Sequence, residues 1–529
     1  LLIQRAPLPY FFEGIFESPR LYDDPLQGVE AWVELTAPSG RTLTIPAFWD
    51  GGRIWRFRVD AREPGVWKYQ LKVSDGTETE WLGHRSEFRV LPYAGPNPLY
   101  RHGPLRVAEE GTHLVHQGGT PFFWLADTAW NGLLKAEPED WEWYLDKRKE
   151  QGFTAIQCVM TQWRACPVDA CGERAFEGEE PIRINPAFFR RLDPKVAAIA
   201  RRGLVPALVL LWALTQRDPG RCLSEEDAIH LARYIVARYS AFCPVWFLGG
   251  DGVYGQDLER WRRIGRAVFV AGEGQRGLAT MHPAGNHWVG GGFREEPWYD
   301  FIGYQSSHSG DLQRSFTWIY DGPPAKEWAE APRKPVINLE PCYEEHLQTG
   351  TDQVFDARHV RIASYYSLLV SPAAGVTYGH AAIWPWAEQA ESPLDHLGAG
   401  ITPLWHEAVV APGAACMSVL KHLFDGLPWW KLRPAPHLVV EQPRPEDPLG
   451  YVAAALAEDQ SIALVYLPQG GKVALDTAAL RGAAAIWLNP RTAERVEASL
   501  ASGERQEYQA PDRADWLLLF TRASESSST

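Results

Sequence analysis

From about residue 105 to about residue 430 one rhythm recurs eight times: a short apolar run, then a longer amphipathic stretch. The runs cover 122–127, 155–160, 205–212, 245–251, 278–282, 301–308, 336–343 and 375–380. A run that is apolar on both faces reads as a strand covered on both sides, and parallel strands need a crossover helix between them. Helix signals stand in the gaps. Pro138 precedes Glu139 and Asp140, and that stretch ends in Lys147 and Arg148, which complements a helix dipole. Ser224-Glu-Glu-Asp227 has the form of an N-terminal capping box ahead of a periodic stretch to Tyr239. Eight strands over roughly 300 residues predict a (β/α)8 TIM barrel. The alternative, a doubly wound open sheet, usually has fewer strands and a binding crevice at a switch point, and no glycine-rich phosphate loop is evident.

The flanks read differently. Residues 1–94 carry stretches 29–35, 42–48, 54–59 and 65–73 that alternate with period two between Gly, Pro and Asp turns, which predicts an N-terminal β-sandwich. Residues 95–104 read as a Pro/Gly-rich linker, 105–430 as the barrel, and 431–529 as a second, C-terminal β-sandwich with strands at 451–456, 461–467, 484–488 and 515–520. The polar tail 524–529 is expected to fray.

The net charge of −14 and the lack of a Lys/Arg cluster argue against a nucleic-acid partner. No uninterrupted apolar stretch predicts a membrane span. The seven cysteines form no CxxC pair and no Cys/His zinc spacing, so neither a metal nor a cofactor is expected, and Cys166 and Cys171 are expected to stay unpaired. A thiol-rich, disulfide-poor chain fits the cytoplasm; secretion stays open, since a signal peptide could have been removed ahead of Leu1. Oligomeric state is not legible. The 24 tryptophans stand out, because indole faces pack on sugar rings as well as in cores.

In a barrel the C-terminal strand ends carry the chemistry. Two runs end in acids: Asp251 after Gly249 and Gly250, and Glu340 just before Pro341. The glycines let the backbone turn sharply beside a ligand, and Glu340 before a proline is hard to explain by solvation. The other ends supply hydroxyl partners and stacking faces. The first gives Asp127 and Trp130, the second Gln157 and Trp163, and the third Trp212. The fifth gives His282 and Trp288, and the sixth Tyr304, Gln305 and His308. The seventh adds Tyr343, and the eighth Tyr378, His380 and Trp384. All are candidate substrate contacts. Asp127 reads equally as a helix N-cap. His282, His308 and His380 come from different strands without HxH or HExxH spacing, so sugar hydroxyls are their expected partners rather than a metal.

Several of these segments, in order, resemble the apiosidase-like glycoside hydrolases: Phe122 to Trp130, Gln151 to Gln157, Trp246 to Asp251, Gln305 to His308, Asn338 to Glu344, and Tyr378-Gly-His380 with Trp384. Residues 1–94 look like the sandwich often attached to that family. The tail, entered through Leu427 to Pro434, looks like its C-terminal sandwich labelled collagen-binding, a label that is no evidence of collagen binding. The resemblance implies a retaining (β/α)8 glycosidase acting on apiosyl linkages in plant pectin or related glycosides, with Asp251 as acid/base and Glu340 as nucleophile. The wider clan usually has Asn-Glu where this chain has Gly250-Asp251, so the acid here has a shorter side chain.

The expected function is hydrolysis of a glycosidic bond in plant or microbial oligosaccharides or glycosides by double displacement. Retention calls for carboxyl groups about 5–5.5 Å apart, and inversion for more than about 6.5 Å. The alternatives are a carbohydrate-binding protein on a degenerate barrel, which would have lost a carboxylate, and a metal-dependent hydrolase, which a chelator would stop. Exo or endo action depends on the loops 161–185 and 283–300 at the barrel mouth.

Overall fold

The computed structural model describes residues 9–74, 85–178, 180–270, 276–498 and 505–522; the tail expected to fray lies outside them. At its centre eight parallel strands follow one another in chain order: β1 Trp124–Thr128, β2 Ala155–Val159, β3 Val205–Trp212, β4 Val245–Gly252, β5 Leu278–Pro283, β6 Ile302–Gln305, β7 Val336–Glu340 and β8 Gly375–Tyr378. Their sheet order is β5-β4-β3-β2-β1-β8-β7-β6. The seam between β5 and β6 closes without a regular ladder. The Asp300 N–H donates to the Ala279 carbonyl (2.8 Å), and the Thr280 hydroxyl donates to the Phe301 carbonyl (2.6 Å). The strands lie where the apolar runs predict them; the first five end within one residue of the predicted stop, and the last three stop two or three residues sooner.

Helices follow the strands: α1 Pro138–Glu150, α2 Pro186–Arg201, α3 Glu225–Tyr239, α4 Leu258–Phe269, the single turn α5 Gly290–Phe293, α6 Leu312–Asp321, α7 Ala357–Leu369 and α8 Pro412–Asp425. Their starts are written locally. Pro138 takes the first turn of α1, where its missing N–H costs nothing. Ser224 caps α3 by accepting from the Asp227 N–H, and Asp356 with His359 forms a capping box on α7.

Before the barrel come two antiparallel sheets, Phe11–Glu17 with Ile54–Asp60 and Phe48–Trp49, and Thr42–Pro46 with Glu30–Thr36, Gly65–Ser74 and Arg85–Val90. The segment expected as a linker holds a helical turn, Pro98–His102, and a three-stranded sheet precedes β1. After α8 comes a six-stranded sheet with a two-stranded partner. Buried ion pairs join these flanks to the barrel. Arg58 of the first sandwich meets Asp193 of α2 (2.6 Å), and Arg238 of α3 meets Asp50 (2.9 Å) and Asp193 (2.7 Å). On the other side Arg361 of α7 makes a two-pronged pair with Asp515 (2.7 and 2.9 Å). All seven cysteines are free.

Candidate active site

Both acids singled out in the sequence follow a break in their ladder. The pairing of β4 with β5 slips between Phe247 and Gly250 and again before Gly252. Asp251 sits in the slip with a positive φ of 53°. Bulges of this kind bend a strand and re-aim a side chain. Gly250 is required there: a Cβ would meet Trp212 Cε3 at 2.5 Å, so the indole lies directly on the backbone. The pairing of β6 with β7 slips by one residue, Tyr304 opposite Asn338 but Gln305 opposite Glu340. Asn338 faces the helix layer, where its amide donates to Ser367 of α7 (3.1 Å). Strict alternation would send Glu340 the same way; the slip turns it inward.

Inside, Glu340 is only 6% exposed and is met on several sides. Gln305 Nε2 donates to Oε1, and His308 Nε2 stands 2.8 Å from the same oxygen. The Tyr343 N–H donates to His308 Nδ1 (3.4 Å), which assigns the remaining ring proton to Nε2 and makes His308 the donor to Glu340. His282 Nε2 is 3.4 Å from Oε2, within ion-pair reach but not aligned as a hydrogen bond, so His308 is the firmer partner. Burial favours neutral Glu340, yet His282 and His308 outweigh it and hold the carboxyl well below the usual range. Asp251 is biased the other way. Burial first, and then the charge of Glu340, push it up to about 6, against the pull of His282, Arg164 and His308.

An aromatic wall stands beside the acids. Trp130 packs edge-on to His282 (5.3 Å) and Trp212 (5.3 Å); Trp212 leans on Trp163 (4.3 Å), and Trp163 faces Trp384 (6.2 Å). Buried polar atoms on this wall lack a partner: Trp212 Nε1, Trp384 Nε1, both ring nitrogens of His282, the Gln305 oxygen and Glu340 Oε2. Unspent buried groups that converge on one place await a ligand or water. Among the described residues no group of three or more His, Cys, Asp or Glu could hold a metal ion.

Six expected contacts lie elsewhere. Asp127 is fully buried behind β1, paired with Arg148 (2.5 Å) and accepting from Tyr144 (2.5 Å) of α1. Tyr378 likewise leaves the barrel and donates to Glu344 (2.6 Å). Tyr304 packs on Trp318 of α6 (5.5 Å), and Trp288 joins them with its N–H on Glu327 (2.5 Å). His380 accepts from the Ala382 N–H (3.1 Å), and its Nε2 is 3.7 Å from Glu345. Gln157 does point inward, but its amide is spent on Thr128, Leu339 and Thr377 beneath the site. Parity explains the three that lie in strands and face out, Asp127, Tyr304 and Tyr378, because alternate residues of a strand face opposite sides; Trp288 and His380 stand beyond the ends of their strands. Trp124 reaches Thr377 across the barrel interior, which leaves Asp127 and Tyr378 on the outside.

Sequence reasoning missed Arg164. Its buried guanidinium lies 3.8 Å from Asp251, 4.0 Å from Asp218 and 3.8 Å from Asp395, and its Nε has no partner. It also missed Asn131, which accepts from the Trp163 indole (2.8 Å). Both lie in loops, where apolar periodicity carries no signal.

An eight-stranded parallel barrel with one buried and one half-buried acid at C-terminal strand ends, beside tryptophans, defines a glycoside hydrolase. The family described as "Apiosidase-like, catalytic domain" matches residues 108–431, more than half of the chain, and the chain belongs to it. A domain of unknown function, DUF5060, matches 11–74, and the "Putative collagen-binding domain of a collagenase" matches 434–521. No curated protein matches. A solved glycoside hydrolase is similar at 23% identity and a TM-score of 0.71, over 80% of this chain and 98% of its own. A family 5 glycoside hydrolase from Bacteroides vulgatus ATCC 8482 is similar at 22% identity and 0.71, over 81% and 95%. At such identities the likeness speaks for the fold.

Proposed function

We propose that this glycoside hydrolase works by double displacement with retention, Asp251 acting as acid/base and Glu340 as nucleophile. The observation that carries the reading is the unequal setting of the two carboxyl groups: Glu340 takes hydrogen bonds from Gln305 and His308, which hold it ionised, whereas Asp251 meets only Arg164 at 3.8 Å and is pushed towards the neutral acid. Environments that push two carboxyls apart assign the acid and the nucleophile. Glu340 attacks the anomeric carbon while Asp251 gives its proton to the leaving oxygen. Water then enters, gives its proton back to Asp251 and releases Glu340. His308 and Gln305 orient the nucleophile, and the wall of Trp130, Trp163, Trp212 and Trp384 offers faces to a sugar ring. An apiosyl group is the first sugar to try, given the family.

The test is a panel of 4-nitrophenyl glycosides (apioside, arabinofuranoside, glucoside, galactoside, xyloside, mannoside, fucoside) with wild type and Glu340→Gln side by side. The wild type should cleave at least one, and the variant should fold normally and lose nearly all turnover. A variant as active as the wild type sinks the assignment. Proton NMR of the first-formed anomer reads retention directly, and EDTA should leave the rate unchanged.

A further inference from the structure

A cavity of about 970 Å³ opens at the barrel mouth, with Trp163, Arg164, Arg174, Phe176, Arg217 and Leu394 among its lining. Neither Asp251 nor Glu340 lines it. The link is Arg164, which lines the cavity and also brings its guanidinium to 3.8 Å from Asp251. Trp163 is the second shared wall: one side bounds the cavity, and the ring packs on Trp212, which reaches His282 at 6.3 Å. A series of neighbouring side chains therefore leads from Glu340 past Asp251 to Arg164, which borders the cavity.

That order has a chemical meaning. The general acid must reach the departing oxygen, so the leaving group lies on the acid's side and the sugar under attack lies on the nucleophile's side. Resting on the reading of Asp251 as the acid, we infer that this cavity receives the leaving-group half of the substrate, an oligosaccharide of two or more sugar residues. Its volume is at the top of the roughly 300–1,000 Å³ usual for small-molecule sites, more than a single ring needs. The walls suit a glycan. Trp163 and Phe176 bound it with aromatic rings, and Arg164, Arg174 and Arg217 line it with guanidinium donors for hydroxyl groups. The walls are also held in place. Gln162 accepts from the Ala175 N–H (2.9 Å) and donates to the Phe176 carbonyl (3.1 Å), which ties the hairpin Phe176–Glu177 and Arg183–Ile184 to the loop after β2. Arg164 and Arg217 both grip Asp395, which pins the opposite rim.

The experiment compares two kinds of substrate with one terminal sugar: the 4-nitrophenyl glycoside found in the panel, and di-, tri- and tetrasaccharides ending in that sugar. Wild type should show kcat/KM rising at least tenfold from the disaccharide to the tetrasaccharide. Leu394→Trp, on an exposed side chain, places an indole in the cavity mouth; Arg174→Ala removes an exposed donor. Each should lower kcat/KM for the tetrasaccharide several-fold more than for the nitrophenyl glycoside. No gain with chain length, or an equal loss on both substrates in both variants, overturns the cavity assignment while the nitrophenyl activity keeps the glycosidase reading. Turnover of every substrate that is indifferent to Glu340→Gln overturns that reading and the cavity with it.

Discussion

At the residue scale, the two acids differ less in burial than in what reaches them. Glu340 has donors from β6 and the loop beyond it, whereas Asp251 has only the distant guanidinium of Arg164 among firm cations. On the proposed chemistry the glycosylation step needs Asp251 protonated and Glu340 ionised. The profile of kcat/KM should therefore lose activity upward through a limb near pH 6, while the Glu340 limb lies far to the acid side. These limbs belong to the pair rather than to one residue. Arg164 favours the ionised form of Asp251, so its loss raises the pKa and the acid survives to higher pH. Arg164→Met should move the upper limb up by about one unit, with Arg164→Lys in between. An unmoved limb with a lower rate would reduce Arg164 to a structural part.

At the element scale, α1 is fastened to the outside of β1 through charges sealed from solvent. Arg148 and Asp127 are both fully buried, and Tyr144 donates to the same carboxyl oxygen. Replacing one partner of such a pair leaves the other charged and unanswered, which typically costs about 3–5 kcal/mol. Arg148→Met should lower stability by about that amount in urea unfolding and leave the position of the pH limb alone. A loss below about 1 kcal/mol would mean that Tyr144 and the Thr128 N–H already satisfy Asp127. The same logic makes Asp127 unavailable to substrate. Its three bonds are spent before a sugar arrives, whereas His282 and the indoles of Trp212 and Trp384 have spent none.

At the scale of the whole molecule, the chain encloses several histidines as neutral groups. Burial lowers His113 to about 4, and His346 and His380 to about 3. Their ordinary value is near 6.5, so between pH 6.5 and those values the unfolded chain binds more protons than the folded one. The stability they contribute is complete above pH 6.5 and falls as the pH drops, by up to about 1.4 kcal/mol per pH unit for each histidine. Urea midpoints measured at pH 7.0, 5.5 and 4.5 should decline in that order. A flat series would mean that these rings are not held neutral. The proposed optimum, on the acid side of pH 6, thus lies where the fold is already giving up stability.

The apolar runs of the chain determine where the barrel strands lie, because a strand covered on both faces needs nothing but local apolar residues and a stop. They also determine that Asp251 and Glu340 end strands, since an acid after such a run can only stand at the exit. The flanking sandwiches are legible in the same way from period-two alternation, although the strands Lys472–Asp476 and Arg505–Gln509, short and with few buried side chains, are too weakly apolar to stand out. Which way a strand-end residue faces is another matter. Counting from Trp124 would have placed Asp127 outside, yet the same counting from Asn338 would have placed Glu340 outside as well. Only the slip of β7 against β6 turns Glu340 in, and a slip is a property of two strands that are far apart in the chain. Arg164 could be found only once the loops after β2, β3 and β8 had folded together, because its three carboxylate neighbours come from three different segments. Local pattern carries the strands; the meeting of strands and loops decides the site.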